Sequence, residues 1–348
     1  MISRILFTTL AVCALHAADL SVGTASAAPG RKATGVIQVP AGSDAGYDIP
    51  VIVMQGAKPG PVLALVSGSH VTEYASIIAA EKLGQAIDPA ALSGSVILVP
   101  LLNVASFQQK TPHVNPVDRK NMNRFYPGKP DGTQTDRASY AISKQVVEKC
   151  DYLLDYHGGD LDENLRKYAY WPDTGNAKLG AATRAMTLAM GLDHIIIQNM
   201  RNPVAPGGAV TLTRYALDSG KAAIAVEAGH AGTTYAEDID ALVNGTLSVM
   251  RELKMLPGAA KPVQHPLWLG RITTVASDVD GIFYPSVAPE AYVTQGQSIG
   301  YITNYFGEKI RDVASPLSGV VAYIGAVPSM KKGDTIANIA ELGRDPQN

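Results

Sequence analysis

Between residues 61 and 229 the chain alternates two textures. Short apolar runs rich in β-branched residues recur as PVLALVSG (61–68), SVILVPLL (95–102), DYLLDYH (151–157), HIIIQ (194–198) and AAIAVEAG (222–229). Between and after them lie stretches with helical spacing: TEYASIIAAEKLGQAI (72–87), DRASYAISKQVVEKC (136–150), GAATRAMTLAMG (180–191) and AEDIDALVNGTLSVMRELK (236–254). Strands alternating with helices predict an α/β layer fold, a mixed, mainly parallel sheet with helices covering both faces. In such sheets the binding crevice lies beyond the carboxyl ends of the strands. His70, His157 and Glu227 each fall at or just after the end of a predicted strand, so they are expected to meet there.

The texture changes at LPGAAKPVQHP (256–266), a Pro- and Ala-rich linker. Beyond it, GIFYPSVA, SIGYITN, DVASPLSGVVAYIGAVPS and KKGDTIANIAEL read as short strands broken by Gly and Pro, with no helical period. The expected organisation is an α/β domain over 29–258 and a small C-terminal all-β domain over 259–348. The first 28 residues read as a leader, with a positive start (MISR), an apolar centre (ILFTTLAVCAL) and small residues before an expected cut near Ala27. That leader predicts a periplasmic or secreted protein, and its apolar centre is too short to span a membrane. Cleavage would leave Cys150 as the one thiol, which excludes an internal disulfide.

Composition narrows the function classes. Of 348 residues, 46% are hydrophobic and 17% charged, which gives an ordinary globular core. A net charge of −2 with no basic run argues against a nucleic-acid partner. The expected partner is a small molecule; a homo-oligomer is left open.

The candidate chemistry lies at the strand ends. His70 and Glu73 at i and i+3 would share one face of the first turn of a helix, which suits two ligands to one ion. Such a pair arises readily by chance, so the reading depends on a third ligand, and His157, followed by two glycines, is placed to supply it. Glu227 ends an otherwise apolar strand, where a charge is costly unless paired or working, and it could serve as a general base. Asn123 and Arg124, in DRKNMNRFYPG (118–128), could hold a carboxylate by fork-like hydrogen bonds.

Taken in order, H-x-x-E, N-R-F-x-P-G, D-x-H and V-E-x-G make the chain resemble the succinylglutamate desuccinylase/aspartoacylase family, a branch of the zinc carboxypeptidase superfamily. The likeness covers most of the mature chain, because SPLSGVV and KKGDTIANI are similar to the barrel-sandwich-like β domain that ends bacterial members. It implies one Zn2+ held by His70, Glu73 and His157, with Glu227 as general base. Asn123 and Arg124 would bind a free carboxylate on the substrate, an N-acyl amino acid or similar small amide. A carboxypeptidase acting on short peptides or cell-wall fragments is the alternative within the same chemistry, and a non-catalytic periplasmic binding protein the alternative outside it. Two departures stand out. Val71-Thr72 replaces the usual glycine-containing interior of H-x-x-E, and His113 stands where related bacterial sequences often carry an arginine. Either His113, Lys110 or Arg119 would then supply the missing cation, or the transition state is held differently. Asp155, two residues before His157, could orient that histidine, the 163–171 stretch after it could line the pocket, and the C-terminal module is expected to cap or narrow the entrance or to mediate contact between copies.

Overall fold

The computed structural model describes residues 18–346. A hairpin of β1 (Leu20–Val22) and β2 (Ala25–Ala27) leads into two long strands, β3 (Arg31–Val39) and β4 (Tyr47–Gln55). The alternation follows: β5 (Lys58–Val66), α1 (Tyr74–Ala86), β6 (Ser93–Val99), the short α2 (Val104–Gln109), α3 (Gln134–Ile142), β7 (Tyr152–His157), β8 (Glu163–Leu165) and β9 (Tyr168–Asp173). Next come α4 (Ala177–Ala189), β10 (His194–Asn199), α5 (Leu212–Asp218), β11 (Ala222–Glu227) and α6 (Ala236–Glu252). Strands make up the remainder: β12 (Leu267–Ala276), β13 (Gly281–Pro285), β14 (Tyr292–Val293), β15 (Ser298–Thr303), β16 (Lys309–Ala314), β17 (Gly319–Gly325), β18 (Ser329–Met330) and β19 (Thr335–Leu342).

One thirteen-stranded sheet runs β14-β17-β19-β12-β10-β9-β11-β7-β5-β6-β4-β3, with β8 attached to β17. It is parallel across β6, β5, β7 and β11, where helical crossovers join the strands. It is parallel again across β9, β10 and β12. Both flanks and the β11–β9 junction are antiparallel. The sheet is therefore mixed as expected, but "mainly parallel" holds only for its centre, because β19, β17 and β14 on one flank and β4 and β3 on the other pair antiparallel.

The uninterrupted apolar runs follow from burial on both faces. Leu63, Leu65, Leu154 and Tyr156 point into a core shared with α1, α4 and α6. Their neighbours Ala64, Val66 and Leu153 point into a second core shared with α3, α5 and the β1–β2 hairpin.

The expected cut near Ala27 falls at the end of that hairpin. Val22, Ala25 and Ala27 are buried. The side chain of Gln55 accepts from the Leu20 N–H at 2.6 Å and donates to the Ala18 carbonyl at 3.0 Å. A cut near Ala27 would remove both strands from that core; residues 1–17 lie outside the described ones. A chain begun at residue 28 is expected to lose about 2–4 kcal/mol relative to one begun at Ala18, from about 0.8 kcal/mol per buried methylene. The midpoints of their thermal unfolding curves test this.

The C-terminal β residues do not stand apart from the α/β sheet. β12 pairs in parallel with β10, and β19 and β17 extend the sheet from there. A four-stranded sheet, β16-β15-β13-β18, faces this extension. Phe283, Ile299 and Ile302 from one side and Val321, Ile324 and Ile339 from the other fill one core.

Candidate active site

β11 and β7 run side by side in register, with Glu227 opposite His157. β5 lies on the far side of β7, with Val66 opposite Asp155. At its exit Gly68 adopts φ +72, and a Cβ there would press on the backbone of Leu101 and Leu102, so glycine suits the turn. The turn delivers His70, and Glu73 occupies the N-cap position of α1. The two residues thus sit in the turn before the helix, not within its first turn as the spacing suggested.

The three expected ligands converge. Glu73 reaches His70 Nδ1 with Oε1 at 2.8 Å and His157 Nδ1 with Oε2 at 3.0 Å. One donor atom from each of the three residues lies within 4.8 Å of the others, a set that can hold a metal ion. Glu73 and His157 are buried. Burial pushes the Glu73 carboxyl upward, but the two imidazoles outweigh it and hold it down at about 2. Burial disfavours the His157 imidazolium, yet the charges of Asp155 and Glu73 raise its pKa well above the usual value.

The outer edge of each imidazole is also engaged. His70 Nε2 meets Asn121 Oδ1 at 3.0 Å. His157 Nε2 lies 2.9 Å from Asn123 Nδ2 and 3.2 Å from Asp155 Oδ1. Asp155 is 1% exposed, and its Oδ1 has no hydrogen-bond partner, while Oδ2 accepts from Thr213 Oγ1 at 3.0 Å.

These side chains open on a cavity of about 380 Å³. Glu227 lines it, and burial raises its carboxyl well above the ordinary range against the pull of His157, with Glu73 and Glu163 adding to the rise. Arg124 is exposed on the wall and is the one Lys or Arg lining it among the described residues. Asn123 also lines the cavity, but its Oδ1 accepts from the Leu212 N–H at 2.7 Å and its Nδ2 faces His157. Both amide atoms of Asn123 are thus turned to neighbours within the protein, while Arg124 lines the cavity from an exposed position.

His113 reaches the wall as well, 6.4 Å from His70 between ring centroids. Its Nε2 meets Asp162 at 2.9 Å and its Nδ1 meets Asp160 at 3.0 Å. The Asp162 hydrogen bond is the main reason its pKa is raised, to about 9, so it carries charge at neutral pH. Both N–H groups are committed to carboxylates, which leaves none for a substrate oxyanion. Lys110 and Arg119, the other cations considered, do not line the cavity.

Glu163, Leu165, Tyr168 and Tyr170 come from the stretch expected to line the pocket. Burial, helped by the charge of Glu73, pushes the Glu163 carboxyl up to about 7. Tyr323 and Asn338 come from β17 and β19, brought over the cleft by the pairing of β17 with β8. No local motif marks them. His230 stands outside this wall, 3.7 Å from Asp238.

Residues 59–253 match the model of the succinylglutamate desuccinylase/aspartoacylase catalytic domain. An N-alpha-acetyl-L-2,4-diaminobutyric acid deacetylase from Halomonas elongata is 27% identical over 301 residues, 84% of this chain and 86% of that protein. The product-bound ectoine utilization protein EutE (DoeB) from Ruegeria pomeroyi superposes with a TM-score of 0.81 at 22% identity, over 89% of this chain and 95% of that one. A succinylglutamate desuccinylase/aspartoacylase structure from Rhodobacter sphaeroides gives 0.80 at 21% identity, over 90% and 96%. Among the described residues no helix is long and apolar enough to cross a membrane. On the extent of the domain match, this chain belongs to the succinylglutamate desuccinylase/aspartoacylase family.

Proposed function

We propose that the chain is a zinc-dependent hydrolase that cleaves the amide bond of an N-acyl amino acid or a similar small amide bearing a free carboxylate. The observation that carries this reading is the convergence of His70 Nδ1, the Glu73 carboxylate and His157 Nδ1 beside Glu227. Two imidazoles and one carboxylate are a donor set suited to catalytic zinc. The orphaned Asp155 Oδ1 supports the fit. An imidazole that gives Nδ1 to a metal carries its proton on Nε2, and Asp155 Oδ1, 3.2 Å from that atom, can accept it, a role the Asn123 NH2 at 2.9 Å cannot fill.

Bound there, zinc would supply Lewis acidity to the amide carbonyl and to the attacking water. Glu227 takes the proton of that water and passes it to the departing amine. A nearby dication would favour the charged form of this buried carboxyl and offset its burial. Arg124 holds the substrate carboxylate, and Tyr323 and Asn338 close the cavity from the C-terminal side. A space of about 380 Å³ suits a small amide better than an extended peptide. The activity named for the Halomonas elongata relative is in keeping with a small N-acyl amino acid. The two C-terminal sheets sharing one core support a barrel-sandwich-like reading of that module, acting as a wall of the cleft. Export to the periplasm or medium fits a leader ending before Leu20, and the N-terminal sequence of the mature protein tests that.

The deciding experiment is zinc analysis of the purified protein together with a screen of N-acyl amino acids against dipeptides. Far less than about one zinc per chain, or turnover of dipeptides alone, removes this reading. Arg124→Gln is expected to raise KM for carboxylate-bearing substrates about 5- to 30-fold with little change in kcat, as befits a charged hydrogen bond on an exposed wall.

A further inference from the structure

We propose that Asp160 is a positioning residue that fixes the two ligand-bearing turns against each other, through a hydrogen bond to Thr72 between His70 and Glu73. The inference rests on the metal-binding reading above and concerns what holds the donors in place.

The donors come from separate turns. His70 and Glu73 lie in the turn between β5 and α1, and His157 opens the turn between β7 and β8. Asp160 follows His157 by three residues, across Gly158 and Gly159. A Cβ on either glycine would collide with backbone, the Ala228 carbonyl in one case and the Glu163 carbonyl in the other, so the turn is packed tightly on the exit of β11. Asp160 has no exposed surface, and no Lys or Arg bridges to it among the described residues. Its Oδ1 accepts from the Thr72 hydroxyl and from the Leu161 N–H at 2.8 Å. Its Oδ2 accepts from the His113 N–H at 2.9 Å and lies 3.0 Å from His113 Nδ1.

Two side-chain links therefore join the ligand turns. One is Glu73 to His157, made of ligands themselves, and a bound metal would displace it. The other is Thr72 to Asp160, made of residues outside the His70, Glu73 and His157 set, so a metal held by that set would leave it in place. Thr72 and His113, the two departures from the family pattern, are thus held by opposite oxygens of one buried carboxylate. The threonine inside H-x-x-E ties this turn to the next, while Val71 takes the place of the pattern's glycine. His113, held at φ 58 with both nitrogens engaged, extends the tether to the cavity wall.

The test measures zinc affinity by competition with a chromophoric chelator, alongside thermal unfolding of the metal-free protein. Thr72→Val keeps the shape and removes the hydroxyl; it is expected to weaken zinc binding about 10- to 100-fold, the usual effect of losing a partner behind the ligands. Thr72→Ser restores the hydroxyl and is expected to bind within about threefold of wild type on the same reasoning. Excess zinc should return kcat of Thr72→Val toward wild type, which a defect in the chemical step would not allow. Asp160→Asn is expected to weaken zinc binding at least as much; should it fail to fold, the Thr72 variants decide. A folded Thr72→Val with wild-type zinc affinity overturns the proposal while leaving the function intact. So does a loss of metal-free stability with unchanged affinity. A wild-type protein that takes up no zinc sinks both.

Discussion

Glu227→Gln is expected to retain about one zinc per chain and to lose kcat by about 10²- to 10⁴-fold, the range that a positioned acid–base group supplies. Glutamine keeps the shape at the end of β11, where Glu227 lies opposite His157, but offers no basic oxygen to an attacking water. The donor set does not include Glu227, so metal content should survive the change. Elemental analysis and steady-state kinetics on one preparation separate the two effects. A variant with wild-type kcat would move the base elsewhere, and Glu163, on the same wall with its carboxyl at about 7, is the first candidate.

His157→Ala should act on the metal itself. His157 lies between two buried carboxyl groups, with Glu73 3.0 Å from Nδ1 and Asp155 3.2 Å from Nε2. Removing the imidazole deletes a donor and leaves both carboxyls without their shared partner. Breaking a buried charged cluster on one side typically costs about 3–5 kcal/mol. The expected outcome is zinc far below one per chain, activity at background, and a lower unfolding midpoint even with a chelator present in both samples. Retained zinc would show that the third ligand lies elsewhere.

Much of this site was legible in the chain because its chemistry sits where strands end. The runs ending at His157 and Glu227 are buried on both faces, and that strong apolar pattern fixed where each charge would emerge. Less was legible where contacts reach across the fold. The β3–β4 ribbon was harder to read: β3 alternates polar and apolar residues around Gly35, and Pro50 stands just ahead of the apolar run of β4. Asn123 looked like a substrate ligand because its neighbour is an arginine, yet its partners, His157 and Leu212, lie 34 and 89 residues away. Asp160 resembled any loop aspartate until Thr72 and His113 were found on its two oxygens. Tyr323 and Asn338 reach the cleft only through strand pairing, which no short motif encodes.

The pairing of β17 with β8 also orders events as the chain is made. Domains tend to fold from the N-terminus as synthesis proceeds. Here every donor is present once β11 has emerged, but the wall formed by Tyr323 and Asn338 must wait for β17 and β19. Until then β10 is an uncovered sheet edge, since its outer neighbour is β12, and such edges invite pairing with other chains. A truncated product ending after α6 would therefore carry the ligands on a sticky, open sheet. For this chain the last quarter of the sequence serves both as a wall of the cleft and as the seal on the growing fold.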